Sequence, residues 1–136
     1  MLVALLILGL AVAVGTTALA RREMSATPLQ VAEALQGAML RARSEALRTG
    51  AETAVLIDVE RGRFAYPPDA SPVLLPEGMR IGLRAERTLG GRALVVFRPD
   101  GSASGAAIRF EQGGRAAILQ VSWLTGLARL RAGPSP

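Results

Sequence analysis

The apolar residues of this chain are concentrated at its start. Residues 1–20 contain no charged side chain, and a run of this length is sufficient to cross the hydrocarbon core of a membrane as a helix. The pattern therefore predicts one membrane-spanning helix. A secretory signal peptide is the alternative, with Ala18-Leu19-Ala20 as its cleavage site, but the basic residues that normally precede such a run are missing.

An amphipathic helix is predicted to follow. Thr27-Pro28-Leu29-Gln30 has the form of a capping box with proline at the first helical position, and Gly50 is typical of a helix end. Between these signals, apolar side chains recur on one helical face, while Glu33, Ser44 and Arg48 lie opposite. The predicted buried face consists of Val31, Ala32, Leu35, Ala38, Met39, Ala42 and Ala46.

After Gly50 the pattern changes to short strands. Residues 54–59 and 63–66 flank a tight turn and predict a hairpin. Residues 79–85 alternate between apolar and polar side chains, as a half-buried strand does. Further strands are predicted at residues 94–97, 107–111, 116–123 and 127–131.

These elements together predict an α+β fold. A long N-terminal hydrophobic helix precedes a small antiparallel β-sheet or β-sandwich head of about six or seven strands. We expect residues 1–24 to form the membrane-spanning half of the helix, residues 25–50 its amphipathic half packed on the head, and residues 51–136 the head itself.

Composition excludes most familiar active sites. The chain has no cysteine and no histidine, which removes thiol nucleophiles, disulfides, Cys/His zinc sites and imidazole bases. No glycine-rich phosphate-binding motif is present. Asp58 and Glu60 stand at a strand end, where solvent exposure is expected. We therefore expect no enzyme activity, no catalytic residue, no cofactor, no bound metal and no small-molecule substrate.

One polar segment carries two interpretations. Asp100, Ser102 and Ser104 offer oxygen atoms that a calcium ion could use, but a single carboxylate is too few for a calcium site. A Pro-Asp-Gly turn capped by short side chains explains the same residues without an ion. The turn is the preferred prediction.

Charge is unevenly distributed along the chain. The formal net charge is +5 with arginine as the sole basic residue type, and residues 79–136 hold nine arginines against three acidic residues. This half could present a basic face to nucleic acid, to anionic lipid head groups or to an acidic partner subunit. The alternative is that these arginines are only the solvated faces of amphipathic strands.

Four segments carry a family resemblance. The apolar run 1–14 resembles the hydrophobic segment of type IV pilin-like proteins, and the segments 41–50 (RARSEALRTG), 97–105 (FRPDGSASG) and 121–130 (VSWLTGLARL) resemble the GspH/FimT family, closest to its type II secretion branch. The implied motif turn is Pro99, Asp100, Gly101 and Ser102, and the implied motif strand is Trp123, Leu124, Thr125 and Gly126. The implied assembly helix presents Leu2, Val3, Leu5, Leu6, Ile7, Leu8, Leu10, Val12 and Val14.

The resemblance implies a minor pseudopilin, which is a structural subunit of the type II secretion pseudopilus. Its helix would lie in the bacterial inner membrane as a single pass, with the head in the periplasm, and its partners would be membrane lipid and other pseudopilins. The family's Gly-Phe cleavage site and following glutamate would stand just before Met1, so prepilin peptidase is a further partner if the native N-terminus lies upstream.

Two alternatives to secretion remain open. A FimT-like minor type IV pilin would bind DNA for natural transformation, with Arg129 and Arg131 as the candidate contacts. A membrane-anchored β-domain with an unrelated binding role is the other.

Overall fold

A computed structural model describes residues 26–134. It begins with one α-helix, α1 (Pro28–Thr49), whose capping box is formed as predicted. The Thr27 hydroxyl accepts from the Gln30 backbone N–H at 3.3 Å, and the Gln30 side chain accepts from the Thr27 N–H at 2.9 Å. Gly50 ends the helix in a left-handed conformation with φ of 72°. These contacts satisfy backbone groups that lack partners inside the helix.

Strands make up most of the remaining described chain, and every strand pairing is antiparallel. The strands are β1 (Thr53–Asp58), β2 (Arg63–Ala65), β3 (Val73–Leu74), β4 (Arg80–Ala85), β5 (Thr88–Leu89), β6 (Arg92–Phe97), β7 (Ala106–Gln112), β8 (Arg115–Val121) and β9 (Ala128–Pro134). The described part of the chain is thus one helix followed by antiparallel strands, which confirms the predicted α+β class for these residues.

The strands form two sheets. The five-stranded sheet has the order β3-β2-β1-β6-β5, and the four-stranded sheet has the order β4-β7-β8-β9. In β7, Ile108 and Phe110 are fully buried, whereas Arg109 between them is half-buried on the opposite face. The alternation follows from the two-residue period of a strand, so the four-stranded sheet has an apolar inner face and a mostly polar outer face.

Helix α1 packs on both sheets and fills the space that their inner faces leave. All seven residues of the predicted buried face are buried, which confirms the amphipathic pattern. The Thr53 hydroxyl donates to the Ala42 carbonyl at 2.6 Å, and the Gln36 amide donates to the Ala128 carbonyl at 3.0 Å. The helix is therefore fixed to β1 at one point and to β9 at another.

Strand ends and the shortest strands differ from the prediction. The two-residue strands β3 and β5 were not predicted, because two residues are too few to show a period. The strand predicted for residues 116–123 ends at Val121, and the strand predicted for residues 127–131 extends from Ala128 to Pro134. The hairpin of β1 and β2 and the strand at β4 lie where the sequence predicts them.

Asp58 corrects a prediction, because it is buried rather than exposed, with 2% of its surface accessible. The strand register places Arg63 and Arg92 directly opposite it on the two neighbouring strands. Their guanidinium Nε atoms lie 3.6 and 3.5 Å from Asp58 Oδ2, and Oδ1 accepts from the Arg61 backbone N–H at 3.1 Å. The long arginine side chains cover Asp58 and explain its burial. This burial was not evident from an aspartate at the end of a predicted strand.

The predicted membrane-spanning half of the helix, residues 1–24, lies outside the described residues. Within residues 26–134, no helix combines the length and the apolar character that a membrane crossing requires.

Candidate functional site

The first of two turns that meet at the candidate site is the predicted Pro-Asp-Gly turn. Gly101 N–H donates to the Arg98 carbonyl at 3.0 Å, and Arg98 N–H donates to the Ser102 carbonyl at 2.9 Å. Pro99 occupies the position where a type I turn favours proline. These contacts confirm the turn that the sequence predicts.

Asp100 caps this turn with its side chain. Its Oδ1 accepts from the Ser102 hydroxyl at 2.6 Å and from the Ser102 backbone N–H at 2.9 Å. These two hydrogen bonds, the hydroxyl bond first, lower the pKa of Asp100 below its ordinary value because they favour the charged form. The side chain therefore stabilises the turn itself.

The second turn is formed by Trp123, Leu124 and Thr125 and corrects the predicted motif strand. The chain leaves the sheet after Val121, and Gly126 has a φ of 67°, a conformation that a strand does not use. Four hydrogen bonds close the turn. They run from Gly126 N–H to the Ser122 carbonyl (2.9 Å), from Ser122 N–H to the Leu127 carbonyl (3.0 Å), from Thr125 N–H to the Ser122 hydroxyl (3.4 Å) and from Leu127 N–H to the Thr125 hydroxyl (3.3 Å).

The two turns pack against each other through glycine. A Cβ atom on Gly126 would overlap the Gly101 carbonyl oxygen, so no larger residue fits without a backbone shift. Ala103 N–H also donates to the Trp123 carbonyl at 3.0 Å. The motif residues of both segments thus allow the backbones of the two turns to approach closely.

Helix α1 reaches the same point through Arg43. Its Nε donates to the Thr125 carbonyl at 3.0 Å, and atoms of its side chain lie 3.3 Å from the positions of a Cβ on Gly101 and on Gly126. The three motif segments therefore meet at one place, which we call the junction. Arg43 lies in a motif segment, but the sequence alone gives it no role, because the Thr125 carbonyl that it contacts lies 82 positions away along the chain.

An apolar surface borders the junction. Trp123 and Leu124 project from the second turn with 64% and 65% of their surface exposed, and Leu40 and Leu127 line a common groove of about 220 Å³. Leu47 lies beside Gly101, with its Cδ2 3.8 Å from the position of a Cβ there. The junction surface, as we name it, consists of Leu40, Leu47, Trp123, Leu124 and Leu127. Exposed apolar side chains of this kind are typical of a protein contact.

The second candidate surface is the outer face of the four-stranded sheet. Arg129 and Arg131 are both exposed on β9, at the edge of this sheet. The register aligns Arg129 with Gln120 and Arg131 with Ile118, which itself lies opposite Arg109. Following the same rows to β4 gives five arginines on one face, here called the basic face. They are Arg80, Arg84, Arg109, Arg129 and Arg131.

Glu111 also lies on the basic face, where it forms an ion pair with Arg109. Charge on this face is therefore predominantly positive. Among residues 26–134, no three potential metal-ligating side chains come close enough together to hold an ion. The predicted assembly-helix residues lie outside the described part of the chain, namely Leu2, Val3, Leu5, Leu6, Ile7, Leu8, Leu10, Val12 and Val14.

Comparison with known proteins supports the resemblance drawn from the motifs. The family model described as type II transport protein GspH matches residues 31–126, a range that includes α1 from Val31 and both turns of the junction. No curated protein sequence matches the chain.

Among solved structures, the fold is similar to that of the minor pseudopilin EpsH from the type 2 secretion system of Vibrio cholerae, with a TM-score of 0.58 at 13% identity. The match covers 79% of this chain and 98% of that chain. Because the family model matches well over half of the residues of the present chain, this chain belongs to the GspH family of type II transport proteins.

Proposed function

We propose that this chain is a minor pseudopilin, a structural subunit rather than an enzyme, which supports export of folded proteins across the outer membrane. Family membership supplies the context. The observation that carries the proposal is the junction, because three separated motif segments combine there to support an exposed apolar surface. Such a surface suits contact with another protein.

The polar groups of the junction support this interpretation. Asp100 accepts from Ser102, Arg43 donates to Thr125, and the Thr125 hydroxyl accepts from Leu127 N–H. Each contact holds one part of the junction to another. The junction surface consists of exposed apolar side chains, so their burial against a neighbouring subunit would be favourable, at about 25 cal/mol per Å² of apolar surface.

The proposed partners are other pseudopilins and the lipid of the inner membrane. Residues 1–24 would anchor the subunit as a single pass, with the head in the periplasm, until they pack among the apolar helices of its neighbours. The junction surface includes Leu40 and Leu47 of α1, the helix that follows this proposed anchor along the chain. It would therefore face a neighbouring pseudopilin head once the anchors are bundled. Prepilin peptidase joins the partners if the native N-terminus lies upstream.

Deletion of the gene tests the proposal. We expect secreted proteins to accumulate in the periplasm, and we expect the wild-type gene to restore export. A variant with Leu124→Ser and Leu127→Ser should fold, because both side chains are exposed, but restore export poorly. The matched control is Val73→Ser with Leu74→Ser, which removes exposed apolar side chains from β3 in the other sheet. Normal export in the deletion strain would contradict the proposal.

DNA uptake is a second candidate, favoured by the exposure of both Arg129 and Arg131 on the basic face. A FimT-like minor pilin would bind duplex DNA through them, and binding would weaken steeply with salt because phosphate contacts release counterions. Binding measured at physiological salt, and abolished by Arg129→Ala with Arg131→Ala, would favour this candidate. Loss of transformation rather than secretion on gene deletion would do the same.

A further inference from the structure

The direction of β9 relative to α1 determines where the basic face lies along the axis of the helix. Arg43 contacts Thr125, and Gln36 contacts Ala128. As the chain advances from the junction into β9, its contacts on the helix therefore move toward the helix N-terminus. Strand β9 leaves the junction antiparallel to α1.

The rise per residue of a strand and of a helix gives the position of Arg131 along the axis of α1. Three residues of strand, from Ala128 to Arg131, advance about 10 Å, and eight residues of helix, from Gln36 back to Pro28, cover about 12 Å. Arg131 thus reaches roughly the level of Pro28. The row that includes Arg80 and Gly133 lies farther in the same direction.

The short connection to the proposed anchor keeps this end of the head near the bilayer. Seven residues separate Ala20, the end of the apolar run, from Pro28. Even a fully extended chain spans only about 28 Å between the Cα atoms of Ala20 and Pro28. A head held at such a distance meets the lipid surface at a high effective concentration, so weak contacts suffice for docking.

The charges at this end favour an anionic surface. Arg80, Arg109, Arg115 and Arg131 lie there. The acidic groups of the four-stranded sheet and its turn at this end are Glu111, paired with Arg109, and Glu77, whose carbonyl accepts from Gln112, while exposed Glu33 lies on α1. Guanidinium groups bind phosphate oxygens through paired hydrogen bonds. Arginine rows on a sheet face therefore match a layer of phosphate head groups.

We infer that the basic face docks on the phosphate head groups of anionic lipid while the subunit waits in the membrane, before it enters a fibre. The inference rests on the proposed membrane anchoring by residues 1–24. It gives the arginines of β9 a role in the unassembled subunit. Entry into the fibre would break these contacts, so docking holds the head in a defined orientation until a partner replaces the lipid.

The absence of native cysteine allows a direct test with the full chain in lipid discs. Gly133→Cys introduces a unique thiol on the basic face, at a glycine whose added Cβ meets no atom within 4 Å. A fluorophore on this thiol is quenched by lipids that carry a spin label on the head group. We expect strong quenching in discs of equimolar phosphatidylcholine and phosphatidylglycerol, and weak quenching in phosphatidylcholine alone.

Charge variants separate docking from simple proximity. Arg129→Gln with Arg131→Gln should reduce quenching in the anionic discs, with the docking equilibrium falling about fivefold for each arginine. Arg61→Gln with Arg87→Gln is the matched control, because it removes two exposed arginines from outside the basic face and should leave quenching unchanged. High salt should act like the Arg129 and Arg131 variant.

Five results would overturn the inference. Equal quenching in both lipid compositions, or equal quenching in both double variants, would mean that the arginines do not recognise head groups. Release of the head by duplex DNA at equal phosphate concentration would identify a nucleic-acid surface instead. Failure of the chain to insert into discs would overturn the membrane anchoring as well, whereas insertion without quenching would refute the docking alone.

Discussion

At the scale of single residues, Gly126 and Gly101 bring the two turns of the junction into backbone contact. We expect Gly126→Ala to lower the free energy of unfolding by about 3 kcal/mol, since the methyl group both meets the Gly101 carbonyl and requires a left-handed alanine. Urea unfolding followed by circular dichroism measures the loss.

Gly114→Ala is the matched control for this prediction. Gly114 has a similar φ of 76°, but a Cβ there meets no atom within 4 Å. Gly114→Ala should lower the free energy of unfolding by only about 1 kcal/mol, the cost of placing alanine in a left-handed conformation. Equal losses in the two variants would show that the close contact between the turns contributes nothing.

Ser102 is predicted to control the ionisation of Asp100. Because the folded pKa of Asp100 is lowered, its contribution to stability is present above the unfolded pKa of about 4 and is lost as the pH falls through the folded value. Ser102→Ala removes the hydroxyl donor and should raise the pKa of Asp100. Carboxyl titration by NMR checks this, and an unchanged midpoint would contradict the assigned hydrogen bond. Ser44→Ala, on the exposed face of α1, serves as the control.

At the scale of elements, local signals account for α1 and long-range contacts account for the junction. The capping box at Thr27 and the apolar face of α1 are both visible in the sequence, because their partners lie within one or two helical turns. The sequence predicts a strand at Trp123, where the structure has a turn, since the apolar residues of this turn continue the pattern of β8. Only the packing of Gly126 on Gly101 reveals why the chain turns there.

The basic face illustrates the same limit. The sequence identifies Arg129 and Arg131 as candidates and counts the arginines of the C-terminal half. It cannot align them with Arg109 and Arg84, because strand register is set by pairing between distant segments. Similarly, the burial of Asp58 depends on arginines contributed by two other strands.

The N-terminal cap of α1 gives a prediction at this scale. Thr27→Ala removes the hydroxyl that accepts from Gln30 N–H and should lower the free energy of unfolding by about 1 kcal/mol. Thermal unfolding measures the change. The substitution Thr27→Asp keeps an acceptor at the cap and should retain most of the stability, and a loss as large as that of alanine would contradict the capping role.

At the scale of the whole molecule, the head has two exposed surfaces of different chemistry. The junction surface is apolar and lies beside α1, whereas the basic face lies on the outer side of the four-stranded sheet. In the proposed account, the basic face serves the waiting subunit and the junction surface serves the assembled fibre. Exchange of a lipid contact for a protein contact would then accompany entry into the pseudopilus.

Site-specific photo-crosslinking in cells that express the secretion system tests whether the junction surface contacts another pseudopilin. A photoreactive residue at Leu124 should form a covalent adduct with another pseudopilin, whereas the same residue at Glu52, exposed just beyond the end of α1, should form little. An adduct at Leu124 that depends on the assembly ATPase would establish contact within the fibre. If Leu124 forms no more pseudopilin adduct than Glu52, the junction surface is not an assembly surface and the account fails.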